Sequence, residues 1–420
     1  MAVMLGWGVL LAHRQLPLLQ EYREQPLPPM YHWDSQSYQS LAKGQYSEVP
    51  SPFSKRVLYP FLAKTLAAKL GVRLETAFVG LNLLAFGLLA YGVARCLGLT
   101  GYDGRIAWLL LLTPFPLASL ELAYMPDLFH MALTAGFFVL LYSERVLWAL
   151  LLLLIAFLTR ESTLLLCLVC AGVGFFRRHH KLWAGSLLVL VVGTVVTNYF
   201  ARWGKPNVHH LPDVLYLGLK VPYNFLLNFL GVQISTNIIP GAPPLFTWQL
   251  PAFLHLGLDR EIGVSWDWRY PLVTLVVLLT LFGIAPLLVW KYFRREPLTA
   301  VAPLAIQVTA VYGLTCYFLG PALGNLVDRL AGCGWPLFWI ALPWLVRQAG
   351  PKLSGRDWVV LGGCFLGCAW WPALVGFAAD RAAQLNPWPH ILSLVPYAVA
   401  FRLLRQKNRS AGLRGGVPPA

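Results

Sequence analysis

Four short stretches of this chain carry side chains able to do chemistry. The first runs Tyr31-His32-Trp33-Asp34-Ser35-Gln36-Ser37-Tyr38 and continues to Leu41. Asp34, Tyr38 and Leu41 are spaced to share one face of a short helix. Beyond it, Pro52-Phe53-Ser54-Lys55-Arg56 leads into an amphipathic stretch over 57–70. The chain holds only 18 acidic residues, and one of them stands here among Trp, Tyr and His. The competing reading is a solvated loop with an N-capping aspartate. The second stretch is Tyr124-Met125-Pro126-Asp127, where Pro126 breaks an apolar run and Asp127 opens the next helix. Capping and the helix dipole would equally favour an aspartate there. The third is Thr159-Arg160-Glu161-Ser162-Thr163, in the middle of the apolar run 147–176. Charges at membrane depth are costly and read first as functional; the alternative is an internal Arg–Glu pair at a surface turn. The fourth is Asp328-Arg329. Arg329 could bind a phosphate, pair with Asp328, or stand at a helix end.

Carboxylates such as Asp34 and Asp127 can act as a general base or share a divalent cation, Mg or Mn. Arginines such as Arg56, Arg160 and Arg329 can clamp a phosphate. The combination suits group transfer from a lipid-phosphate donor. Walker A, His-Glu-x-x-His and Gly-x-Ser-x-Gly signatures are all missing, so an ATP-driven pump and zinc or serine hydrolases of those classes are unsupported.

These residues need elements to hold them, and composition says which kind. Of 420 residues, 57% are hydrophobic and 12% charged. A soluble chain carries about 25% charged residues, so the expected class is an all-α polytopic membrane protein. With about 20 apolar residues per span, about 11 to 12 transmembrane helices fit. They are expected near 2–20, 74–95, 106–123, 126–142, two short spans within 147–176, 182–200, 270–290, 299–318, 333–346, 357–378 and 389–403. The whole of 1–420 is expected to form one transmembrane domain. Two long segments separate the spans, 21–73 with short amphipathic helices and 201–269, and a tail follows from 404. Within the second segment, 214–229 reads as an amphipathic helix at the interface.

The net charge of +15 does not indicate nucleic acid, because the basic residues cluster in short loops between apolar runs. With the N-terminus inside, every such loop falls on the cytoplasmic side, as the positive-inside rule requires. Both long segments and Arg160-Glu161 then fall outside. The seven cysteines are scattered and read as small apolar packing residues. No cleavable signal peptide is expected at the start of the chain.

The run Trp33-Asp34, Tyr38, Ala42, Gly44, then Phe53, Arg56-Val57-Leu58-Tyr59-Pro60 and Leu62-Ala63, resembles the first outer loop of bacterial GT-C-type glycosyltransferases. Tyr124-Met125-Pro126-Asp127 resembles their second acidic position, and Thr159-Arg160-Glu161-Ser162 and Asp328-Arg329 resemble recurrent polar breaks in such chains. The resemblance implies a multi-pass enzyme of the bacterial cytoplasmic membrane with its site on the extracytoplasmic face. It implies transfer of a hexose, mannose-like or other, from a polyprenyl-phosphate donor to a glycan, lipid or protein acceptor, by inverting single displacement. Asp34 would be the base and Asp127 its support or co-ligand of a metal. Tyr38, Arg56, Arg160, Glu161 and Arg329 would line the substrate and phosphate site. The chain lacks the adjacent Asp-Asp or Asp-x-Asp pair that many members carry in the first loop. Two other classes stay open: a transporter or flippase of a lipid-linked saccharide, and an enzyme like an O-antigen polymerase or ligase.

Overall fold

The structure is a computed structural model that describes residues 29–205, 213–235, 246–249, 261–293, 302–324, 327–349, 354–374 and 392–414. The expected span at 2–20 lies outside the described residues. The chain is predominantly helical and packs as two compact units. The first holds residues 1–112, 116–208 and 303–308, and the second holds the rest.

The first unit opens with α1 (Pro29–Lys43), followed by 3-10 turns at Tyr46–Glu48 and Phe53–Lys55 and by α2 (Leu58–Leu70). Of Asp34, Tyr38 and Leu41, expected on one face, Tyr38 and Leu41 are buried together with Val49 and Met125, and Asp34 is half-buried. Next come α3 (Leu74–Leu99), α4 (Ile106–Leu111), α5 (Pro114–Glu121), α6 (Asp127–Tyr142), α7 (Val146–Phe157), α8 (Thr163–Phe176) and α9 (His180–Ala201). The apolar run 147–176 is indeed two helices that break at 158–162. The run 106–123 is also two, not the single span expected. Pro114 accounts for this, since it disfavours helical backbone at Thr113 and itself fits the first position of a new helix.

Backbone contacts fix the loops that carry the charged residues. The Asn82 amide of α3 donates to the carbonyls of Ser119 (3.3 Å) and Leu120 (2.8 Å), which lie in the last turn of α5. The Tyr59 hydroxyl donates to Ala123 O at 2.6 Å. Together these satisfy carbonyls that a helix end leaves open and set the turn that delivers Asp127. Leu58 N donates to Leu158 O at 3.2 Å, which ties the start of α2 to the 158–162 break. Lys205 N donates to Val49 O at 2.8 Å, and Ser51 N to Lys205 O at 3.2 Å. That clasp needs Gly204, where a Cβ would lie 2.5 Å from Ser54 Cβ and 2.6 Å from Val49 O.

In the second unit, α10 (Asp213–Leu230) takes up the segment expected to be an amphipathic helix. It is followed by β1 (Val232–Ser235), β2 (Phe246–Gln249) and β3 (Glu261–Trp266), an antiparallel sheet of order β1-β3-β2. The all-α expectation is corrected here. Short polar-apolar alternation such as Glu261-Ile262-Gly263-Val264-Ser265-Trp266 has the period of a strand, and cross-strand pairing decides it. Then come α11 (Arg269–Thr280) and α12 (Ala285–Phe293), which bend by 79° at their junction. The carbonyls freed there accept from tyrosines: Leu278 O from Tyr317, and Leu279 O and Gly283 O from Tyr397. The unit continues with α13 (Leu304–Leu323), α14 (Val327–Gly332), a π-helical turn at Leu337–Ala341, α15 (Leu342–Ala349), α16 (Gly355–Leu374) and α17 (Val395–Arg414).

Among the described residues three helices are long and apolar enough to cross a membrane: α3, α9 and α13. The bent pair α11/α12 makes a fourth if it is one span. The expected 11 to 12 spans are not reached there. Breaks at 113–114, 158–162 and 281–284 cut apolar runs into helices too short alone for a hydrocarbon core of about 30 Å. All seven cysteines are free thiols, and six are buried, in keeping with packing roles.

In α3, a Cβ at Gly92 would sit 2.7 Å from Ala135 Cβ on α6, while nothing lies within 4 Å of one at Gly87. Small residues at such crossings let helices approach closely. Gly92→Val is expected to cost about 1–3 kcal/mol by overpacking and Gly87→Val much less, checked by thermal unfolding of the two variants in detergent.

Candidate functional site

Four segments of the first unit bring charged groups together: α1, the 51–57 loop, the first turn of α6, and the 158–162 break. The break is the centre. Arg160 and Glu161 are chain neighbours, yet they do not pair with each other. Arg160 Nη1 donates to Asp127 Oδ1, and both side chains are 7% exposed. Glu161 accepts from Arg56 instead, with Oε2 2.7 Å from Nε and Oε1 bonded to Nη2. The local Arg–Glu turn pair considered from sequence is replaced by two crossed tertiary pairs.

Arg56 is the most constrained of these groups. Its Nη1 donates to the Tyr38 hydroxyl at 2.6 Å. Its guanidinium lies 5.2 Å from the Phe53 ring centroid, a cation–π distance. Tyr38 meets Phe53 edge-on at 5.9 Å. Apart from the edge bonded to Glu161, the guanidinium is thus set by α1 and by the loop that Lys205 clasps. Asp34 sits one helical turn before Tyr38 on α1 and is half-buried. Tyr38 is fully buried, and Asp34 is the one carboxylate of α1.

A second polar chain runs behind the ion pairs. Thr159 Oγ1 donates to Ala156 O at 2.6 Å. Its oxygen is then an acceptor for His130 Nδ1 at 3.2 Å. That leaves His130 Nε2 to accept from Ser162 Oγ at 3.1 Å. His130 is thus held as the neutral Nδ1–H tautomer, as burial demands. Sequence reasoning did not pick out His130, Tyr59 or Asn82. Only the spacing of Asp127 and His130 on one helix face could have pointed to the first.

Glu161 is 44% exposed; its partial desolvation against the protein pushes the carboxyl up, but the charge and hydrogen bonds of Arg56 outweigh that and hold it down at about 2. Burial alone would lower the Arg56 value; Glu161 and Tyr38 more than reverse that and raise it.

The sequence-expected residues thus divide. Tyr38, Arg56, Glu161, Arg160 and Asp127 belong to one connected cluster, and Asp34 lies one helical turn before Tyr38 on α1. Arg329 lies on α14 in the second unit, half-buried beside Asp328. Asp127 does not suit a metal shared with Asp34. Its Oδ1 already faces the Arg160 guanidinium in a closed pocket, so a cation would have to displace another cation. Among the described residues no three His, Cys, Asp or Glu side chains gather as metal ligands would.

The chain matches no family model, no curated protein and no solved structure.

Asp127→Asn leaves Arg160 buried without its counter-charge and is expected to cost about 3–5 kcal/mol, whereas Asp127→Leu with Arg160→Met recovers most of it; a double-mutant cycle of unfolding midpoints checks both. The Glu161 value is depressed below its ordinary 4.5. Its pairing therefore stabilises the fold fully above that value and loses the contribution as pH falls towards about 2. The stability difference between the parent and Glu161→Gln should be constant from neutral pH to about 5 and shrink below it, read by denaturation across that range.

Proposed function

We propose that the chain is a membrane glycosyltransferase of GT-C type, moving a hexose from a polyprenyl-phosphate donor to an extracytoplasmic acceptor. The observation that carries the reading is a rigidly oriented guanidinium, Arg56, bonded to Tyr38 on the same helix that carries the half-buried carboxylate Asp34 one turn earlier. A base and an anion-stabilising group are the two functions that inverting transfer from a lipid phosphate requires. The resemblance of this loop to the first outer loop of such enzymes supports the same assignment.

In this reading Asp34 removes the proton of the acceptor hydroxyl. The oxygen attacks the anomeric carbon as the bond to the lipid phosphate breaks, and the phosphate leaves with the bonding electrons. Charge develops on the departing phosphate, where a positioned guanidinium is most effective. Asp127 is assigned a supporting role only. Its ion pair with Arg160 makes it a poor base and fixes the 158–162 break instead.

A bilayer location is part of the proposal. Helix α9 exposes Leu188, Val191 and Val195, each more than half open. An unbroken apolar face on a helix of spanning length is what lipid covers. The positive-inside pattern of the basic loops supports placing Asp34, Arg56 and Glu161 outside the cytoplasmic membrane of a bacterium. The remaining spans of the expected set would be assembled from shorter helices, α6, α7 and α8 among them.

Membranes containing the parent chain should transfer labelled sugar from a polyprenyl-phosphate-hexose pool. Asp34→Asn at equal expression should lower that transfer roughly a hundredfold or more. Undiminished transfer by Asp34→Asn would remove Asp34 as the base, and no transfer by the parent across several donors would overturn the enzyme reading.

A further inference from the structure

We propose that Arg56 is the binding site for a phosphate monoester, and that Glu161 occupies it as an internal stand-in that the ligand displaces. The inference rests on the reading of this cluster as one that handles a lipid phosphate, and it adds how the site is kept when empty of ligand.

Three observations carry it. The first is which edge of the guanidinium Glu161 takes. Its two oxygens bond Nε and Nη2, the forked edge that also accepts two phosphate oxygens in parallel. Nη1 is held separately by Tyr38, and the Phe53 ring lies against the guanidinium. The fork therefore keeps its orientation if the carboxylate departs. The second is an asymmetry of access. The Arg56 side chain is 9% exposed and Glu161 is 44% exposed. The acidic partner lies on the open side and can rotate towards solvent without unpacking the protein. The third is the contrast with the neighbouring pair. Asp127 and Arg160 are equally closed, at 7% each, so neither can give way to a ligand. Two arginine–carboxylate pairs meet at one break, and only one is built to open.

The physical logic is competition. An unpaired guanidinium in this pocket would be costly, and Glu161 removes that cost while no ligand is present. A phosphate monoester brings nearly two charges and three acceptor oxygens at neutral pH, against the single charge of the carboxylate. It therefore wins the fork as transfer releases it, since the singly charged donor diester becomes a monoester when the sugar leaves, whereas an uncharged lipid does not. The arrangement rejects lipids that lack the phosphate.

The test is binding, separate from transfer. Farnesyl monophosphate, inorganic phosphate and farnesol are titrated against the full-length chain in detergent micelles. Removing the competitor with Glu161→Gln is expected to tighten farnesyl monophosphate binding about tenfold, since a hydrogen bond to a charged group is worth roughly one such factor. Arg56→Lys is expected to weaken it by a similar factor, and in Arg56→Lys/Glu161→Gln the gain should vanish. Inorganic phosphate should show the same order of variants if the headgroup alone suffices, and farnesol should show no dependence on either residue. In the parent chain, carbodiimide coupling to Glu161, read by mass spectrometry, should rise several-fold on adding farnesyl monophosphate. Equal or weaker binding by Glu161→Gln, a gain that persists without Arg56, or unchanged coupling overturns the proposal. Transfer by the parent with no such gain would sink the stand-in while leaving the enzyme. A gain without transfer from any donor would keep the phosphate site and remove the enzyme.

Discussion

Arg160 and Glu161 share a peptide bond but send their charges in different directions, and the first unit depends on that division. Arg160 turns inward to Asp127 at the start of α6, and Glu161 turns outward to Arg56 in the loop before α2. A buried ion is tolerated only when its counter-charge and hydrogen bonds are in place. The 158–162 break must therefore sit where α6 begins and where Arg56 arrives. Either pair alone would leave one charge at the junction of apolar helices without compensation.

Backbone accounting makes the placement possible. Breaking the apolar run 147–176 opens carbonyls and amides that water does not reach readily. Leu158 O receives Leu58 N, and Thr159 closes onto Ala156 O. The same holds before α6, where Asn82 and Tyr59 satisfy the end of α5 and the turn that follows. Asn82, Tyr59 and the Thr159–His130 contact thus each join two segments distant in sequence. Apolar packing brings the helices together without direction. The hydrogen bonds supply the register.

For function, the consequence is a separation between rigid and accessible groups. Asp127, Arg160, His130 and Thr159 are closed and fully engaged, and they hold the frame. Glu161 is the acidic group of the cluster with open surface, and Asp34 on α1 is half-buried. Arg56 lies between the two sets, held by Tyr38 and Phe53 and paired with the more exposed Glu161. Precision in a site comes from groups held by their neighbours, and a reactive carboxylate has to be reachable. The cluster provides both.

Much of this was legible in the sequence. The helical, apolar class, a short helix carrying Tyr38 and Leu41 on one face, the paired short helices around 159–163, and the helix begun by Asp127 all follow from period, proline and composition. These signals are local, and local geometry is fixed by a few neighbouring residues. The strands of the second unit, the split at Pro114, the bend between α11 and α12 and the number of long apolar helices were not legible. They depend on which distant groups satisfy a broken backbone. The partner of each charge was decided only by the fold. Sequence offered an Arg160–Glu161 turn pair as one reading. The structure instead joins residues 33 and 105 positions apart, because the buried guanidiniums of Arg160 and Arg56 each require a counter-charge with hydrogen-bonding geometry that one turn of adjacent residues does not offer.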